Sequence, residues 1–512
     1  MTGVSVGDSL SKGTAWESSW SLILTSLAVV FAVLLAVKNL ALRRSCEEGK
    51  HLPPGPRGIP VLGYLPFIWK PYHVVFKELS DKYGPIIRLQ LGVKSVVVLN
   101  DVISVREGLS NPDVLYRPHD FIFNYLGVKG IAALNGEAWQ VNRRYCFHVL
   151  RNLGFAKKSM EEHIHEELGC FLELLTSSKG QPLQIAHRLA SSVANNISAL
   201  VFGRRYDLDD PNGRAFEGLL STFLRYASFL CVMDFLPLLR TLAYCIPYSK
   251  LRIMNYVMKE LTRHVRVAVK DHEENMDQYA ERDFIDGYLR KMQENKGSNS
   301  HYTMKYLEGN AINFFGPATN PVRTMILWNL YVAASDPDGQ QARIQREIDV
   351  AVGRHRLPEW KDRLNMPYAM ASVLETLRWR TSSPFSLHRV AGRDTVIGGY
   401  HIPAGTLILP NMWSLDHDAT IWRNPSVFDP TRFLSADGKE VDEKQLAFIP
   451  FSVGRRACPG ETLALMEIFL YVTTILQKFV VLPEEEKNIS LEIEPALLTV
   501  ADDMQGLRFF PR

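Results

Sequence analysis

Cysteine is scarce in this sequence, and no two cysteines stand at metal-binding spacing. Only six occur among 512 residues, and none forms a Cys-x-x-Cys pair. Zinc ribbons and disulfide-rich secreted domains depend on closely spaced cysteines, so both classes are disfavoured, and the globular part is expected in the reducing cytosol. The six are Cys46, Cys146, Cys170, Cys231, Cys245 and Cys458.

An excess of charge of one sign is also missing. Lys and Arg together number 58 and Asp and Glu 55, which leaves a formal net charge of +3 at pH 7. A chain whose main partner is nucleic acid normally carries a clear basic excess, so we expect no nucleic-acid partner. Several catalytic motifs are absent as well: the sequence has no Walker loop, no Gly-x-Gly-x-x-Gly and no complete His-Glu-x-x-His.

One apolar run, residues 18–37, is long enough to cross a membrane. It carries no charged side chain and includes LILTSLAVVFAVLLAV. At about 1.5 Å per residue, a helix of this length spans the roughly 30 Å hydrocarbon core of a bilayer. Lys38, Arg43 and Arg44 follow the run whereas Lys12 alone precedes it, so the positive-inside rule places the rest of the chain in the cytosol. A cleaved secretory signal is the alternative, disfavoured by the acidic residues before the run and the lack of a clear cleavage site.

Beyond this run, few segments predict strands. IIRLQLGVKSVVVLN predicts a hairpin around Gly92, and TVIGGYHIPAGTLILP predicts a second strand pair. Long stretches such as YVMKELTRHVRVAVKDHEEN have apolar residues at helical spacing, so we expect a mainly α fold with small β-sheets. Residues 222–247 are unusually apolar and predict either core or a second membrane contact. The expected organisation is a luminal N-terminus 1–17, a transmembrane anchor 18–37, a basic and Pro-rich linker 38–58 and a globular domain 59–512.

The strongest chemical signal is the segment FSVGRRACPGE, which begins at Phe451. Gly454 and Gly460 permit tight turns and close approach of the backbone to a flat ligand, and two arginines bring positive charge next to Cys458. A helical run, TLALMEIFLYVTTIL, follows, and its N-terminal amides would stabilise a thiolate further. A lone cysteine in a loop is usually inert, but this setting predicts a thiolate.

This segment resembles the haem-binding signature of the cytochrome P450 family. The resemblance implies a cytochrome P450 fold plus one N-terminal transmembrane helix, haem b as cofactor, and Cys458 as the thiolate ligand of its iron. It makes residues 59–512 the haem-binding catalytic domain, within the animal microsomal branch that metabolises drugs and steroids. The five fixed positions of the signature match at Phe451, Gly454, Arg456, Cys458 and Gly460.

Further motifs follow in the order that the family shows. Glu375 and Arg378 match its Glu-x-x-Arg, and Arg432 matches the arginine of its Pro-x-Arg-Phe; the implied role of these three is to brace the haem loop. The family also places cationic and hydrogen-bonding side chains at the two haem propionates. The positions that match this set are Arg117, Trp139, Arg143, His388 and Arg456.

The oxygen-binding side departs from the family pattern. The family's helix normally reads Ala/Gly-Gly-x-Asp/Glu-Thr, and the matching segment here is FGPAT, residues 315–319. The resemblance implies that Thr319 donates a hydrogen bond to bound dioxygen. Ala318 replaces the acid and has no proton to relay, so water or Asn320 must do so. We therefore expect the catalytic site to include Gly316, Ala318, Thr319 and Asn320.

The resemblance implies a haem-thiolate monooxygenase that inserts one oxygen atom from O2 into an apolar steroid, fatty acid, terpenoid or xenobiotic. No flavin or nicotinamide motif is present, so electrons are expected from an NADPH-dependent flavoprotein reductase in the endoplasmic reticulum membrane, with cytochrome b5 as a second donor and membrane lipid as a further partner. Docking on Arg455 and Arg144 predicts a salt-dependent reduction rate. Two alternatives stay open: a reductase-independent haem-thiolate isomerase or dehydratase, motivated by Ala318, and a non-catalytic haem-binding protein.

Overall fold

The computed structural model is mainly helical, with small sheets, as the sequence predicts. The predicted anchor lies outside the described residues apart from Ser26, and none of the described helices is long and apolar enough to cross a membrane. The structure describes Ser26 and residues 51–154, 158–207, 210, 213, 218–219, 221–223, 226, 233–276, 281–295, 301–442, 445–484, 488–492 and 505–512.

Helices and strands alternate unevenly along the chain. The helices are α1 (Tyr72–Tyr83), α2 (Val102–Ser110), α3 (Ile122–Tyr125), α4 (Gly136–Asn152), α5 (Lys158–Ser177), α6 (Ala186–Phe202), α7 (Pro237–Cys245), α8 (Lys250–Glu274), α9 (Phe284–Glu294), α10 (Met304–Ser335), α11 (Ala342–Ala351), α12 (Pro367–Arg380), α13 (Met412–Asp416) and α14 (Glu461–Lys478). The strands are β1 (Ile86–Leu91), β2 (Lys94–Leu99), β3 (Arg389–Val390), β4 (Thr395–Ile397), β5 (Tyr400–Ile402), β6 (Leu407–Pro410), β7 (Phe479–Pro483) and β8 (Leu507–Pro511).

The described strands form one four-stranded sheet, in the order β1-β2-β6-β3, and two antiparallel two-stranded sheets, β4-β5 and β7-β8. Strand β2 pairs antiparallel with β1 and parallel with β6. Both predicted hairpins are confirmed: Gly92 has φ +54° in the first turn, and Gly398 and Gly399 have φ +56° and +78° in the second. Positive φ at both central positions is the requirement of a tight turn between twisted strands, and glycine meets it without strain.

Two helices cover the four-stranded sheet, one on each face. Both faces are covered because successive side chains in the apolar run of β2 point to opposite faces of the sheet. Val96 and Val98 pack in the cluster that contains α1, whereas Val97 and Leu99 pack in the cluster that contains α2. A strand buried on both faces reads as a continuous apolar segment, as β2 does.

The main core is helical and is centred on α10. This helix begins after Thr303, whose hydroxyl accepts a hydrogen bond from the backbone amide of Tyr306. It then runs to Ser335 through Pro317 and Pro321, and it packs against α6, α8, α12 and α14. Most of its C-terminal half is buried on all sides, which fits an apolar pattern without a single stripe.

Candidate active site

The loop that carries Cys458 is closed by its own backbone. The amide of Cys458 donates to the carbonyl of Phe451 at 2.8 Å, and the amide of Ala457 donates to the carbonyl of Gly454 at 3.0 Å. Gly454 has φ +78°, and a Cβ there would lie closer than 3.0 Å to the carbonyl oxygen of Leu109. Glycine is therefore required at this position both for its conformation and for the close approach of α2.

Cys458 lies in a recess directly before α14. Its side chain is accessible to solvent, yet the surrounding protein is close enough for burial to raise the pKa of the thiol. A hydrogen bond from the backbone amide of Gly460 and the positive charge of Arg143 act in the opposite direction, and Glu461 adds to the rise. The protein by itself therefore favours the protonated thiol over the thiolate that the sequence predicts, because the effect of burial on the pKa outweighs that of the Gly460 amide and Arg143.

Four buried or half-buried arginines surround this recess. Three guanidinium groups are anchored by backbone carbonyls: Arg117 donates to His388 at 2.5 Å, Arg456 to Leu134 at 2.6 Å, and Arg143 to Ala457 at 2.6 Å. The indole of Trp139 lies among them, with the Cζ atoms of Arg456 and Arg143 at 4.0 and 5.8 Å from its ring centre. We call Arg117, Arg143, Arg389 and Arg456, with Trp139, the cation recess.

No acidic side chain among the described residues forms an ion pair with the arginines of the cation recess. Burial and the repulsion of the other arginines lower the pKa of Arg389 to about 10 and that of Arg456 to about 9, and the pKa of Arg117 lies well below its usual value for the same two reasons. Arg389 is 0% exposed, and none of its three guanidinium nitrogens has a hydrogen-bond partner among the described residues. The indole nitrogen of Trp139 is also buried and has no hydrogen-bond partner among these residues. Buried cations need an anion within reach, so this recess fits a ligand that carries carboxylates.

Arg389 was not singled out by the sequence, which pointed to its neighbour His388. The imidazole of His388 packs against Phe121 and Phe235, with ring centres at 6.3 and 6.0 Å. Burial, together with the charges of Arg117 and Lys94, lowers the pKa of His388 to about 4, so the ring is neutral at physiological pH. Arg389, the next residue, begins β3 and is the one whose charge acts on Arg456.

Glu375, Arg378 and Arg432 meet on the side of α12 that faces the Pro430–Phe433 turn. Arg378 donates two hydrogen bonds of 2.7 Å to the Glu375 carboxylate, and both side chains are 0% exposed. Arg432 lies 3.4 Å from the same carboxylate, which also accepts from the backbone amide of Asp429 at 2.9 Å. The three residues that the sequence grouped therefore form one buried network.

One face of α10 is open near the loop that anchors the cation recess. Among residues 312–321, Pro317 and Pro321 are exposed, and Asn313, Gly316 and Asn320 are half-buried. These five positions follow helical spacing and so share one side of the helix, which we call the open face. Its side chains offer two amides and no hydroxyl or carboxylate.

Thr319 does not lie on the open face. It is 1% exposed, and its hydroxyl donates to the carbonyl of Phe315 at 3.0 Å, on the packed side of α10. Ala318 is half-buried and packs against the main core. Of the four residues expected at the catalytic site, the structure places Gly316 and Asn320 on the open side, whereas the expected hydroxyl of Thr319 points away from it.

A glycine contact links α10 to the loop that anchors the cation recess. A Cβ on Gly130 would lie closer than 3.0 Å to the carbonyl oxygen of Gly309, so the two backbones touch. Beside this contact, the backbone amides of Ile131 and Ala132 donate to the side chains of Asn310 and Asn313, both at 2.9 Å. The carbonyls of the same two loop residues accept hydrogen bonds from arginines of the recess. Residues 131 and 132 therefore connect the open face to the cation recess.

Comparison with known proteins agrees with this geometry. The family model for cytochrome P450 matches residues 53–505. The chain belongs to the cytochrome P450 family. Cytochrome P450 2F5 of Gorilla gorilla gorilla is 37% identical over 452 residues, which cover 86% of this chain and 89% of that protein. Cytochrome P450 18a1 of Drosophila melanogaster is 31% identical over 484 residues, with 91% and 88% covered, and cytochrome P450 2F2 of Rattus norvegicus is 33% identical over 498 residues, with 94% and 97% covered.

Membership of the cytochrome P450 family makes the chain a monooxygenase, an oxidoreductase, and implies haem as its cofactor. The residues of the site fit that group. Two propionates would supply the anions that the unpaired nitrogens of Arg389 and Trp139 require. The accessible thiol of Cys458, two residues after Arg456, is of the right type to bind iron.

Proposed function

We propose that this cytochrome P450 is a haem-thiolate monooxygenase with Cys458 as the iron ligand and the cation recess as the propionate site. The observation that carries the proposal is a group of buried and half-buried arginines beside an accessible cysteine, with no acidic partner among the residues that the structure describes. When bound, the haem iron supplies oxygen activation, with the thiolate as electron donor to the metal. The chain holds the thiol loop by the hydrogen bonds of Phe451 and Arg143.

The carbon monoxide difference spectrum of the reduced protein tests this proposal. A band typical of thiolate-bound haem is expected for the wild type, and Cys458→Ala and Cys458→His are expected to lose it. Retention of the band in both variants would assign the ligand to another residue. NADPH consumption and oxygen uptake with substrate separate a monooxygenase from the two alternatives: an isomerase or dehydratase would turn over hydroperoxides without NADPH, and a non-catalytic protein would do neither.

We infer an apolar small molecule as substrate. We expect half-buried aromatic side chains of the main core to line its approach, among them Phe123 and Phe223, whose rings stack with centres 6.0 Å apart. Such rings bury apolar surface without demanding a partner for a charge. Steroids, terpenoids and xenobiotics satisfy this lining, as does the chain of a fatty acid.

Electrons are proposed to come from an NADPH-dependent flavoprotein reductase, with cytochrome b5 as a second donor. The side of the molecule next to Cys458 suits an acidic protein partner, because Arg455 and Arg144 are both exposed there. Arg455 lies at the rim of the cation recess, with its Cζ atom 5.8 Å from the ring centre of Trp139. A partner on this face would sit close to the iron ligand.

We propose attachment to the endoplasmic reticulum membrane, with the catalytic domain in the cytosol. Two segments, residues 59–69 and 239–248, present apolar side chains to solvent. Trp69 is 88% exposed in the first segment, and Tyr248 is 92% exposed in the second. The backbone joins them, because Gly92 donates to Leu62 at 3.0 Å and Val93 donates to Phe235 at 3.2 Å. Exposed apolar side chains on two linked segments, the first of which follows the predicted anchor in the sequence, are what a lipid surface would cover. These side chains are Ile59, Leu62, Phe67, Trp69, Leu239, Leu242, Tyr244, Ile246 and Tyr248.

A further inference from the structure

Two backbone carbonyls on the open face of α10 lack their helical donor. In an α-helix each carbonyl accepts from the amide four residues later. The residues four positions after Asn313 and Pro317 are Pro317 and Pro321, and proline has no N–H. Residues 313, 317 and 321 lie one above another on a helix, so both carbonyls belong to the same side.

That side is the accessible one. Pro317 and Pro321 are exposed, whereas Phe315 and Thr319 on the other side of the helix are 4% and 1% exposed. Water can solvate these carbonyls while the face is open, but a bound ligand excludes it. An apolar ligand without a donor then leaves both carbonyls unsatisfied, whereas a ligand hydroxyl group replaces the lost water hydrogen bond. The side chain of Asn320, half-buried on the same face, adds an amide that can donate as well as accept.

This face is also linked to the cation recess, which is the proposed haem site. The side chain of Asn313 accepts from the backbone amide of Ala132, and the carbonyl of Ala132 accepts from Arg117 of the cation recess at 3.0 Å. A substrate held between the haem and α10 therefore meets the two carbonyls directly.

We propose that the substrate is an apolar alcohol whose hydroxyl group binds on the open face. Its O–H donates to the carbonyl of Asn313 or Pro317, and its oxygen accepts from the side-chain amide of Asn320. A hydrocarbon offers no donor, a ketone offers only an acceptor, and a carboxylate is repelled by carbonyl oxygens. This inference rests on the proposed monooxygenase function and narrows its substrates to alcohols, such as sterols and terpenoid alcohols, over fatty acids.

The test measures binding to the haem-loaded protein by equilibrium dialysis, so that turnover plays no part. The probes are cholesterol, 5-cholesten-3-one and 5-cholestene, and, on a second skeleton, 1-dodecanol, dodecanoate and dodecane. On at least one skeleton the alcohol is expected to bind about tenfold more tightly than its hydrocarbon, as one hydrogen bond predicts, and more tightly than the ketone or carboxylate. Alcohols that bind no more tightly than hydrocarbons on both skeletons would overturn the proposal.

A double variant, Pro317→Ala with Pro321→Ala, restores the two missing backbone amides, so that the carbonyls of residues 313 and 317 regain their helical donors. The fold should be kept, because alanine favours a helix. The alcohol preference is expected to fall about tenfold in this variant and to stay unchanged in Pro337→Ala, which alters a proline in the turn after α10. An unchanged preference in the double variant would also refute the proposal. The carbon monoxide difference spectrum distinguishes failure of this inference from failure of the proposed function. A normal thiolate band without a preference for alcohols refutes only the inference, whereas a missing band refutes the proposed function.

Discussion

Glu375 accepts two hydrogen bonds from Arg378 in an ion pair that is wholly buried. Replacing Glu375 with alanine leaves a guanidinium without a counter-charge, which is expected to lower the free energy of unfolding by about 3 to 5 kcal/mol. Urea denaturation followed by circular dichroism measures this loss. Glu78→Ala, in an exposed pair with Lys70, is the control and is expected to change little. Equal effects of the two variants would show that burial of the first pair is unimportant.

Arg389→Met is expected to act in opposite directions on the haem-free and the haem-loaded protein. Without haem, the substitution removes a buried cation that has no hydrogen-bond partner among the described residues, so the free energy of unfolding should rise. With haem, a charge-assisted hydrogen bond is lost, and haem affinity should fall about tenfold to a hundredfold. Denaturation of both forms and haem transfer to an acceptor protein measure these effects. Arg393→Met, at a largely exposed site, is the control and should change neither the stability of the haem-free protein nor the affinity for haem. A lower stability of the haem-free Arg389→Met variant would contradict the interpretation.

Gly454→Ala and Gly460→Ala form a matched pair in the same loop. Gly454 has φ +78° and touches the backbone of α2, so alanine there should lower the free energy of unfolding by more than about 2 kcal/mol. Gly460 has φ −94°, and a Cβ there would meet no atom within 4 Å, so its change should stay within about 0.5 kcal/mol. Thermal denaturation of the two variants checks the ranking, and the reverse order would show that the loop adopts another conformation.

His272 is expected to make stability depend on pH. Burial lowers its pKa, but the hydrogen bond and charge of Asp283, 2.6 Å away, outweigh this, so the pKa is raised above 6.5 in the folded protein. A raised pKa means that the folded state binds the proton more tightly. Its contribution to stability is therefore complete below pH 6.5 and disappears as the pH rises through the folded-state pKa. Urea denaturation from pH 6 to 9 should show a steeper decline for the wild type than for His272→Gln; parallel curves would rule the contribution out.

Thr319→Val tests which side of α10 the hydroxyl occupies. Because that hydroxyl donates to Phe315 within the core, its removal should cost about 1 kcal/mol of stability or less. Substrate binding and the coupling of NADPH use to product should stay close to those of the wild type. A large loss of coupling would instead place the hydroxyl at the oxygen-binding side, as the sequence had suggested.

Motif order and spacing predicted the parts of the site that one segment carries by itself. The Cys458 loop and the Glu375 and Arg378 pair are of this kind, since a turn and one helix face fix them locally. Arg389 could not be predicted from the sequence. It lies in the two-residue strand β3, and the direction of its side chain depends on the pairing of Arg389 with Ile408, farther along the chain.

The orientation of Thr319 escaped prediction for a related reason. Apolar residues surround α10 on nearly every side, so the sequence shows no stripe from which the rotation of the helix could be read. Only the packing of Phe315 against α6, and the accessible prolines opposite, fix which side faces the site.

The loop at Gly130 has a consequence for the order in which the molecule assembles. Its amides are held by Asn310 and Asn313, which lie 179 and 181 residues later than their partners. Its carbonyls in turn receive Arg456, which lies 325 residues beyond Ile131. Such distant contacts form only after the long intervening segments have folded. We therefore expect the proposed propionate site to have no early precursor during synthesis, so that haem would be captured by a chain that is already nearly complete.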